Sequence, residues 1–392
     1  MIDYSKVLSQ RAVDLKPSGI RKFFDILDEM QGVISLTVGQ PDFVTPWHIR
    51  EAGIYSLEKG STHYTANTGI LELKNEICKY TKRRQNLDYD YKKQVIVTVG
   101  GSEAIDICIR AVVNPGDEVI IPEPSFVCYK PCTILAGGVP VVLKTKAENN
   151  FKITPEELEA AITPKTKLLI LPYPNNPTGA IMTKEELEKL AEVLKGKNIL
   201  ILSDEIYGEL SYDKPHVSIA SINEEMYEKT IVVNGFSKAF AMTGWRLGYV
   251  LGNSELVSAM TKIHQYAIMC APTTSQYAAV EAMRNGDDDV ARMREEYNYR
   301  RKVALDMLDS IGLECFEPQG AFYLFPSIKS TGLTSEQFCE QLLHDQKVAV
   351  VPGNAFGESG EGFVRMSYCY SIDNLKTALE RIGEFVNKCK NR

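Results

Sequence analysis

Lys238 and Arg246 stand eight residues apart in a stretch of mostly small side chains that runs from Val232 to Gly248. Small side chains keep the backbone thin, so that a flat ligand can lie against it. A lysine that loses its water has a lowered pKa and becomes a nucleophile able to bond to an aldehyde. An arginine keeps its charge and has the fork shape that binds phosphate. The pair therefore indicates a flat ligand with an aldehyde and a phosphate, although an isolated pair is more often a solvated surface feature.

An aldehyde and a phosphate on one flat ring describe pyridoxal 5'-phosphate (PLP). The longer string resembles the cofactor-lysine motif of class I/II PLP-dependent aminotransferases, of fold type I. The resemblance covers Ser237, Lys238, Thr243, Gly244, Arg246 and Gly248. It implies that Lys238 is the catalytic residue and bonds covalently to the cofactor. It also implies that Ser237 and Arg246 bind the cofactor.

A second anion-binding pattern comes earlier in the chain. Val95 to Val99 is typical of a buried strand, and Gly101, Ser102 and Glu103 lead from it into a helix predicted over 105–113. Free N–H groups and the helix dipole attract phosphate at such an N-terminus. We expect Gly101, Ser102 and Glu103 to bind the cofactor. The string is not G-x-G-x-x-G, which disfavours a dinucleotide site.

Three further features follow in the order of the family: Phe126, the N-P-T-G turn that contains Asn176, and the D-E-x-Y string that contains Asp204 and Tyr207. The resemblance implies that Phe126 stacks on the pyridine ring and that Asp204 keeps the ring nitrogen protonated. It implies that Asn176 and Tyr207 bind the phenolate oxygen. The position of Asp204 agrees independently, since acidic residues at strand ends in an open α/β sheet lie in the ligand crevice. A core phenylalanine is the alternative for Phe126.

The motifs near the two chain ends resemble the family's substrate-binding segments. Gly39 lies in G-x-P-D-F, Tyr64 in Y-x-x-x-x-G and Arg365 in V-R-x-S-Y. The resemblance implies that Gly39, Asn176 and Arg365 bind substrate, with Arg365 gripping the α-carboxylate through two hydrogen bonds. It implies that Tyr64 reaches the cofactor phosphate of the neighbouring subunit in a homodimer with shared active sites. Without the resemblance, Gly39 would be assigned to an ordinary turn, Tyr64 to a loop and Arg365 to a surface strand.

Strands alternate with helices from Val95 to Leu251, which predicts an α/β fold. The resemblance adds a large domain with a mostly parallel seven-stranded sheet and a smaller α/β domain built from both chain ends. The predicted boundaries are 1–45 for the N-terminal arm and part of the small domain, 46–288 for the large PLP-binding domain, and 289–392 for the C-terminal small domain. Thr154 and Thr183 are predicted to open helices with capping boxes. The mixed charges from Arg292 to Arg301 are predicted to form a solvated face.

Composition narrows the class of protein. The 392 residues carry 44 basic and 51 acidic side chains, a formal net charge of −7 that argues against nucleic-acid and anionic-membrane partners. No apolar run approaches the ~18 residues of a membrane helix, and Met1 to Lys16 has no signal-peptide core. Nine cysteines without C-x-x-C pairs suggest reduced thiols in the cytoplasm. No metal site is expected, since zinc needs three or four suitably spaced ligands.

The resemblance implies transfer of an amino group between an L-amino acid and a 2-oxo acid, with glutamate and 2-oxoglutarate as one pair. The strings S-G-I-R-K-F and G-A-F-Y-L-F-P-S-I-K-S look most like the N-acetyl-LL-diaminopimelate aminotransferase subgroup of lysine biosynthesis. Aromatic and aspartate aminotransferases remain alternatives, as does a PLP-dependent C–S β-lyase. Arg21 is only a candidate for binding a side-chain carboxylate. A transcription regulator is disfavoured, because only about twenty residues precede the resemblance.

Overall fold

The computed structural model describes residues 2–15, 17 and 30–390 of the chain. Within them, twelve strands are β1 Ile34–Ser35, β2 Val95–Thr98, β3 Glu118–Glu123, β4 Val139–Lys144, β5 Thr166–Leu171, β6 Leu200–Asp204, β7 Thr230–Gly235, β8 Gly248–Leu251, β9 Tyr323–Leu324, β10 Val348–Ala349, β11 Val351–Pro352 and β12 Val364–Ser367. The strand predicted from Val33 to Val38 is therefore shorter than expected. The strand predicted from Val348 to Val351 divides into two strands of different sheets.

The same residues form fourteen α-helices. They are α1 Tyr4–Val7, α2 Gln10–Asp14, α3 Trp47–Glu58, α4 Leu71–Gln85, α5 Gly100–Val112, α6 Tyr129–Ala136, α7 Pro155–Ala161, α8 Lys184–Leu194, α9 Glu224–Lys229, α10 Ser254–Ala267, α11 Thr273–Asn285, α12 Asp287–Ile311, α13 Ser335–Gln346 and α14 Ile372–Lys390. Both predicted capping boxes, at Thr154 and Thr183, are confirmed. No described helix is long and apolar enough to span a membrane.

A seven-stranded sheet with the order β2-β8-β7-β6-β5-β3-β4 forms the centre of the fold. Only β8 runs antiparallel to its neighbours, while the other pairs are parallel. Alternate residues of each strand face opposite layers: Ile96 and Ile170 pack toward α5, α6 and α10. Val97 and Leu169 pack toward helices on the other face. Burial on both faces explains the continuous apolar runs, and the predicted mostly parallel seven-stranded sheet is confirmed.

A second core joins residues from both ends of the described chain. Strand β1 pairs in parallel with β10, and Leu36 packs in the cluster that α12, α13 and α14 build on strands β9 and β12. The amide of Ser367 donates to the carbonyl of Leu36 at 2.9 Å. This pairing brings the segment after β1 beside β12, which carries Arg365. The predicted domain boundaries stay predictions, and the one at 288/289 falls within α12.

The prediction of a solvated face from Arg292 to Arg301 is wrong at its end. Arg300 and Arg301 are 6% and 0% exposed. Arg300 donates to both carboxylate oxygens of Asp42, at 2.9 and 2.8 Å, and Arg301 donates to the carbonyl of Pro318 at 2.7 Å. The charge pattern does not reveal these contacts, because Asp42 lies far away in sequence and the acceptor for Arg301 is a backbone carbonyl. The Arg300–Asp42 pair ties the G-x-P-D-F turn to α12.

Candidate active site

A cavity of about 350 Å³ opens at the carboxyl ends of the parallel strands. It collects residues from the central sheet, from the turn after β1 and from β12. The predicted site residues that line it are Gly39, Gly101, Ser102, Phe126, Asn176, Asp204, Tyr207, Ser237, Lys238, Arg246 and Arg365. Two predicted residues, Glu103 and Tyr64, are not among its lining residues. Such a crevice is where open α/β sheets bind ligands.

Lys238 follows the end of β7 and points its amine into this cavity. The Nζ atom donates to the carbonyl oxygen of Gly39 at 2.6 Å. Burial lowers the pKa of Lys238 to about 8, helped by the nearby positive charges of Arg365 and Arg246 and opposed by Cys369 and Asp204. An amine with this pKa is partly uncharged near neutral pH, so it can act as a nucleophile and as a base.

The phosphate-binding end of the cavity is formed by α5 and Arg246. Helix α5 begins at Gly100, so its free N–H groups include those of Gly101 and Ser102. Gly100 has φ +77°, and a Cβ there would stand 2.8 Å from Nη2 of Arg246. The guanidinium therefore lies against the helix N-terminus, where glycine is needed for both conformation and space. Arg246 is exposed, and its Nη1 donates to the carbonyl of Thr243 at 3.1 Å.

The side chain of Glu103 has a different position from its predicted neighbours Gly101 and Ser102. One carboxylate oxygen accepts a hydrogen bond from the amide of Val99. The other oxygen lies 2.5 Å from Nδ1 of His264, a fully buried residue of α10. Both carboxylate oxygens are thus engaged within the protein. The sequence predicts that this side chain contacts the cofactor directly. That stays a prediction, and the hydrogen bonds of Glu103 do not support it.

Asp204 ends β6 and is 7% exposed. Burial raises the pKa of this carboxyl group, while hydrogen bonds from the Tyr129 hydroxyl at 2.7 Å and the Ile206 amide at 3.2 Å act in the opposite direction. A cationic ring nitrogen is a fitting partner for a buried carboxylate. Tyr129 was not predicted from the sequence. The available signal was its position three residues after Phe126, whose ring it contacts edge-on at 6.0 Å.

Tyr207 shares a hydrogen bond of 2.7 Å with the hydroxyl of Tyr323, a second lining residue that was not predicted. Burial raises the pKa of Tyr207 and brings that of Tyr323 to about 12, so both phenols stay protonated at neutral pH. A Cβ on Gly39 would lie 2.1 Å from the Tyr323 hydroxyl. The close approach of Tyr323 to the backbone therefore requires glycine at position 39, and substrate binding by Gly39 stays a prediction.

Arg365 lies on strand β12, lines the same cavity as Arg246 and is 3% exposed. Its Nη1 donates to Oδ1 of Asn176 at 3.0 Å, and its Nη2 donates to the carbonyl of Thr37. Within the described part of the chain, its buried Nε has no hydrogen-bond partner. Since Oδ1 of Asn176 accepts from Arg365, the amide nitrogen of Asn176 remains a donor for a ligand. A buried cation with an unused donor fits a carboxylate.

Tyr64 is 82% exposed and lies outside the central cavity of its own chain. It borders a shallow depression with His63, Val99 and Thr273. This position does not support a role for Tyr64 in the active site of its own subunit. Arg21 and the S-G-I-R-K-F string lie outside the described residues. Within the described residues, no group of three or more His, Cys, Asp or Glu side chains could hold a metal ion.

The residues present fit PLP. The amine of Lys238 lies between a phosphate-binding end, a buried carboxylate and a buried guanidinium, and the ring of Phe126 borders the same space. Among the residues that the structure describes, the buried Nε of Arg365 has no hydrogen-bond partner and the N-terminus of α5 has no side-chain cap, so both can donate to a ligand. The cavity therefore contains a group of matching chemistry for the aldehyde, the phosphate and the ring nitrogen of PLP and for a substrate carboxylate.

Comparison with known proteins agrees with this geometry. The family model described as "Aminotransferase class I and II" matches residues 31–382. The chain is 54% identical over 381 residues to a Bacillus subtilis protein named only as an aminotransferase, YugH, covering 97% of this chain and 98% of the relative. It is 46% identical over 382 residues to the Bacillus subtilis "Probable N-acetyl-LL-diaminopimelate aminotransferase", covering 97% and 96%.

A solved structure of aspartate aminotransferase from Thermus thermophilus with maleate superposes with a TM-score of 0.91 at 38% identity. The alignment covers 96% of this chain and 99% of that one. The predicted family, the type I fold and the dependence on PLP are thereby confirmed. The chain belongs to the class I and II aminotransferases, enzymes that use pyridoxal phosphate to transfer amino groups between amino acids and 2-oxo acids.

Proposed function

We propose that the enzyme exchanges an amino group between the glutamate/2-oxoglutarate pair and N-acetyl-LL-diaminopimelate with its 2-oxo counterpart, a step of lysine biosynthesis. The observation that carries the amino-transfer site is the buried amine of Lys238, with a pKa of about 8, between Arg246 and Arg365. The substrate is supported by the relative named for this activity, which aligns along nearly the whole chain at 46% identity. Aspartate and aromatic substrates are the alternatives.

We assign the following roles to the site residues. Arg365 binds and orients the substrate α-carboxylate, while Arg246, Gly101, Ser102 and Ser237 hold the phosphate. Asp204 keeps the ring nitrogen protonated, and PLP when bound withdraws electrons from the substrate Cα. The uncharged amine of Lys238, placed in the cavity, would act as the base that moves a proton at the substrate Cα. Phe126, Asn176 and Tyr207 fix the ring between them.

Recognition of the distal end of the substrate separates the alternatives. The cationic residues lining the cavity in the described part of the chain are Lys238, Arg246 and Arg365, and the roles above use all three. A distal carboxylate therefore needs a further donor. Arg21 is the candidate from the sequence, and its substitution by lysine should weaken dicarboxylic donors more than aromatic ones.

A donor panel tests the proposed substrate. With 2-oxoglutarate as acceptor, N-acetyl-LL-diaminopimelate is expected to exceed aspartate, phenylalanine and tyrosine in kcat/KM by roughly tenfold or more, the range that a fitted pocket provides. A higher value for aspartate or an aromatic donor would overturn the substrate assignment and leave the amino-transfer site intact. Cystathionine belongs in the panel: release of pyruvate and thiol at a rate matching transamination would instead identify a C–S β-lyase.

We further propose a homodimer with shared active sites, acting in the cytoplasm. Val44, Trp47, Tyr64 and Tyr266 are 71%, 57%, 82% and 88% exposed, a high exposure for large apolar side chains. Val44 borders a depression that includes Ser275, and Tyr64 borders one that includes Thr273, both residues of the first turn of α11. Exposed apolar surface of this kind is typical of an interface. The cytoplasmic location is supported by nine cysteines without disulfides.

The dimer proposal predicts complementation between two damaged subunits. Tyr64→Phe should weaken PLP binding roughly tenfold, the loss of one hydrogen bond to a charged group. When Tyr64→Phe and Lys238→Ala subunits are mixed, one site of the heterodimer carries both lesions and the other carries neither. Transamination at limiting PLP should therefore rise above that of either variant alone, measured on heterodimers isolated with two affinity tags.

Tyr266→Phe provides the matched control, because Tyr266 is equally exposed. It should bind PLP normally, and its mixture with Lys238→Ala should give only the activity expected from its own intact Lys238. If tagged heterodimers of Tyr64→Phe form but show no gain over the parent variants, Tyr64 does not act across the interface.

A further inference from the structure

His264 and Glu103 form a buried contact beside the phosphate end of the site. His264 is fully buried on α10, and Glu103 lies in the first turn of α5 with its side chain 10% exposed. Nδ1 of the imidazole lies 2.5 Å from Oε1 of the carboxylate. On the other side of the ring, Nε2 lies 2.8 Å from the carbonyl oxygen of Asn67. Both ring nitrogens are thus engaged without solvent.

These two contacts fix the proton count of the pair. A carbonyl oxygen only accepts, so Nε2 must carry a proton and donate it to Asn67. A second proton must lie between Nδ1 and Oε1, because a lone pair facing a carboxylate oxygen at this distance would repel it. Whichever atom carries that proton, the Glu103–His264 pair is neutral as a whole.

The neutral pair stands at the start of the helix that receives the phosphate. The second oxygen of Glu103 accepts from the Val99 amide, immediately before α5. This leaves the N–H groups of Gly101 and Ser102 unused by the Glu103 side chain, and both residues line the cavity. Without the shared proton, a full carboxylate charge would stand within one turn of those amides and oppose a phosphate dianion.

We propose that His264 is a positioning residue: it neutralises Glu103 and holds the first turn of α5, and thereby sets the affinity of the site for the phosphate of the cofactor. The inference rests on the proposed assignment of the phosphate to Gly101, Ser102 and Arg246. His264 is not among the residues that line the cavity. Its effect should therefore appear in phosphate recognition rather than in the chemistry at Lys238.

The test compares binding of PLP with binding of pyridoxal, which lacks the phosphate. His264→Gln leaves the Glu103 charge uncompensated, so the dissociation constant of PLP should rise roughly tenfold or more, as expected for one lost charge-assisted contact. The dissociation constant of pyridoxal should change by no more than about twofold. Adding Glu103→Gln to His264→Gln removes the charge and should restore most of the PLP affinity.

His344→Gln is the matched control, since His344 is an exposed histidine in the last turn of α13. It should leave both affinities and the thermal unfolding temperature unchanged. If His264→Gln weakens PLP and pyridoxal equally, or weakens neither, or is not rescued by Glu103→Gln, the proposed role is overturned. Arg246→Lys distinguishes an error in the phosphate assignment from an error in the role of His264. If it does not lower PLP binding relative to pyridoxal, the phosphate end itself is misassigned; if it does while His264→Gln does not, only the role of His264 fails.

Discussion

Lys238→Ala is expected to remove the visible absorbance of the lysine-bound cofactor and to lower transamination by at least about 10²–10⁴-fold, the usual contribution of a positioned acid–base group. The loss should be large because the amine that is to bond to the cofactor is that of Lys238, which lines the cavity. Its Nζ lies 2.6 Å from the Gly39 carbonyl. The variant should remain folded. Absorbance spectra and single-turnover assays with glutamate measure the two effects.

Lys74 supplies a matched control. It is also buried, and burial lowers its pKa too, but its amine bonds to Thr68 Oγ1 and it does not line the cavity. Lys74→Met should therefore keep the bound-cofactor absorbance. A Lys238→Ala protein that retains this absorbance, or a Lys74→Met protein that loses it while folded, would show that the wrong lysine has been assigned.

The native chain provides a pH check on the same assignment. The pKa of Lys238 is lowered to about 8 by burial, so its amine is mainly uncharged above that pH and mainly protonated below it. Only the uncharged amine attacks an aldehyde. The rate at which the cofactor-free protein captures PLP should thus rise with pH and level off above about 8, instead of rising up to the pKa of a solvated lysine near 10.4.

Residues that act through local geometry were predictable from the sequence. Lys238 follows β7 and Asp204 ends β6, while Arg246 lies just before the antiparallel β8; the sheet topology brings all three positions to one edge. The capping boxes at Thr154 and Thr183 also depend on neighbours three residues away. In each case the local string contains most of the interaction.

Residues that act through distant partners were not predictable in this way. The hydrogen bond from Tyr129 to Asp204 spans 75 positions, and that between Tyr207 and Tyr323 spans 116. Glu103 was expected at the cofactor because of its string, yet His264 lies 161 positions away. Arg300 was expected in solvent for the same reason, and its partner Asp42 is 258 positions away. A single sequence carries no signal for such pairings, because residue type alone does not select among many possible partners.

The second large effect concerns the two arginines at opposite ends of the cavity. Arg365 has a planar fork suited to a carboxylate, and lysine cannot reproduce its two parallel hydrogen bonds. Charge-assisted hydrogen bonds contribute roughly 1.5–3 kcal/mol each, so Arg365→Lys should lower kcat/KM roughly ten- to a hundredfold. The loss should be similar for every amino acid tried, because all share the α-carboxylate. PLP binding should persist, since Arg246 and the N-terminus of α5 form the phosphate end.

Arg246→Lys should have the opposite profile, with cofactor affinity falling first. Its guanidinium lies against Gly100 at the start of α5, whereas Arg365 is buried against Asn176 and Thr37 on the substrate side. The two variants make the same chemical change at two ends of one cavity, so each controls for the loss of an arginine as such. PLP affinity and single-turnover reaction with glutamate should be measured for both. If Arg365→Lys releases the cofactor while its handling of glutamate is unchanged, the two roles have been assigned in reverse, and the substrate must enter from the end that is here given to the phosphate.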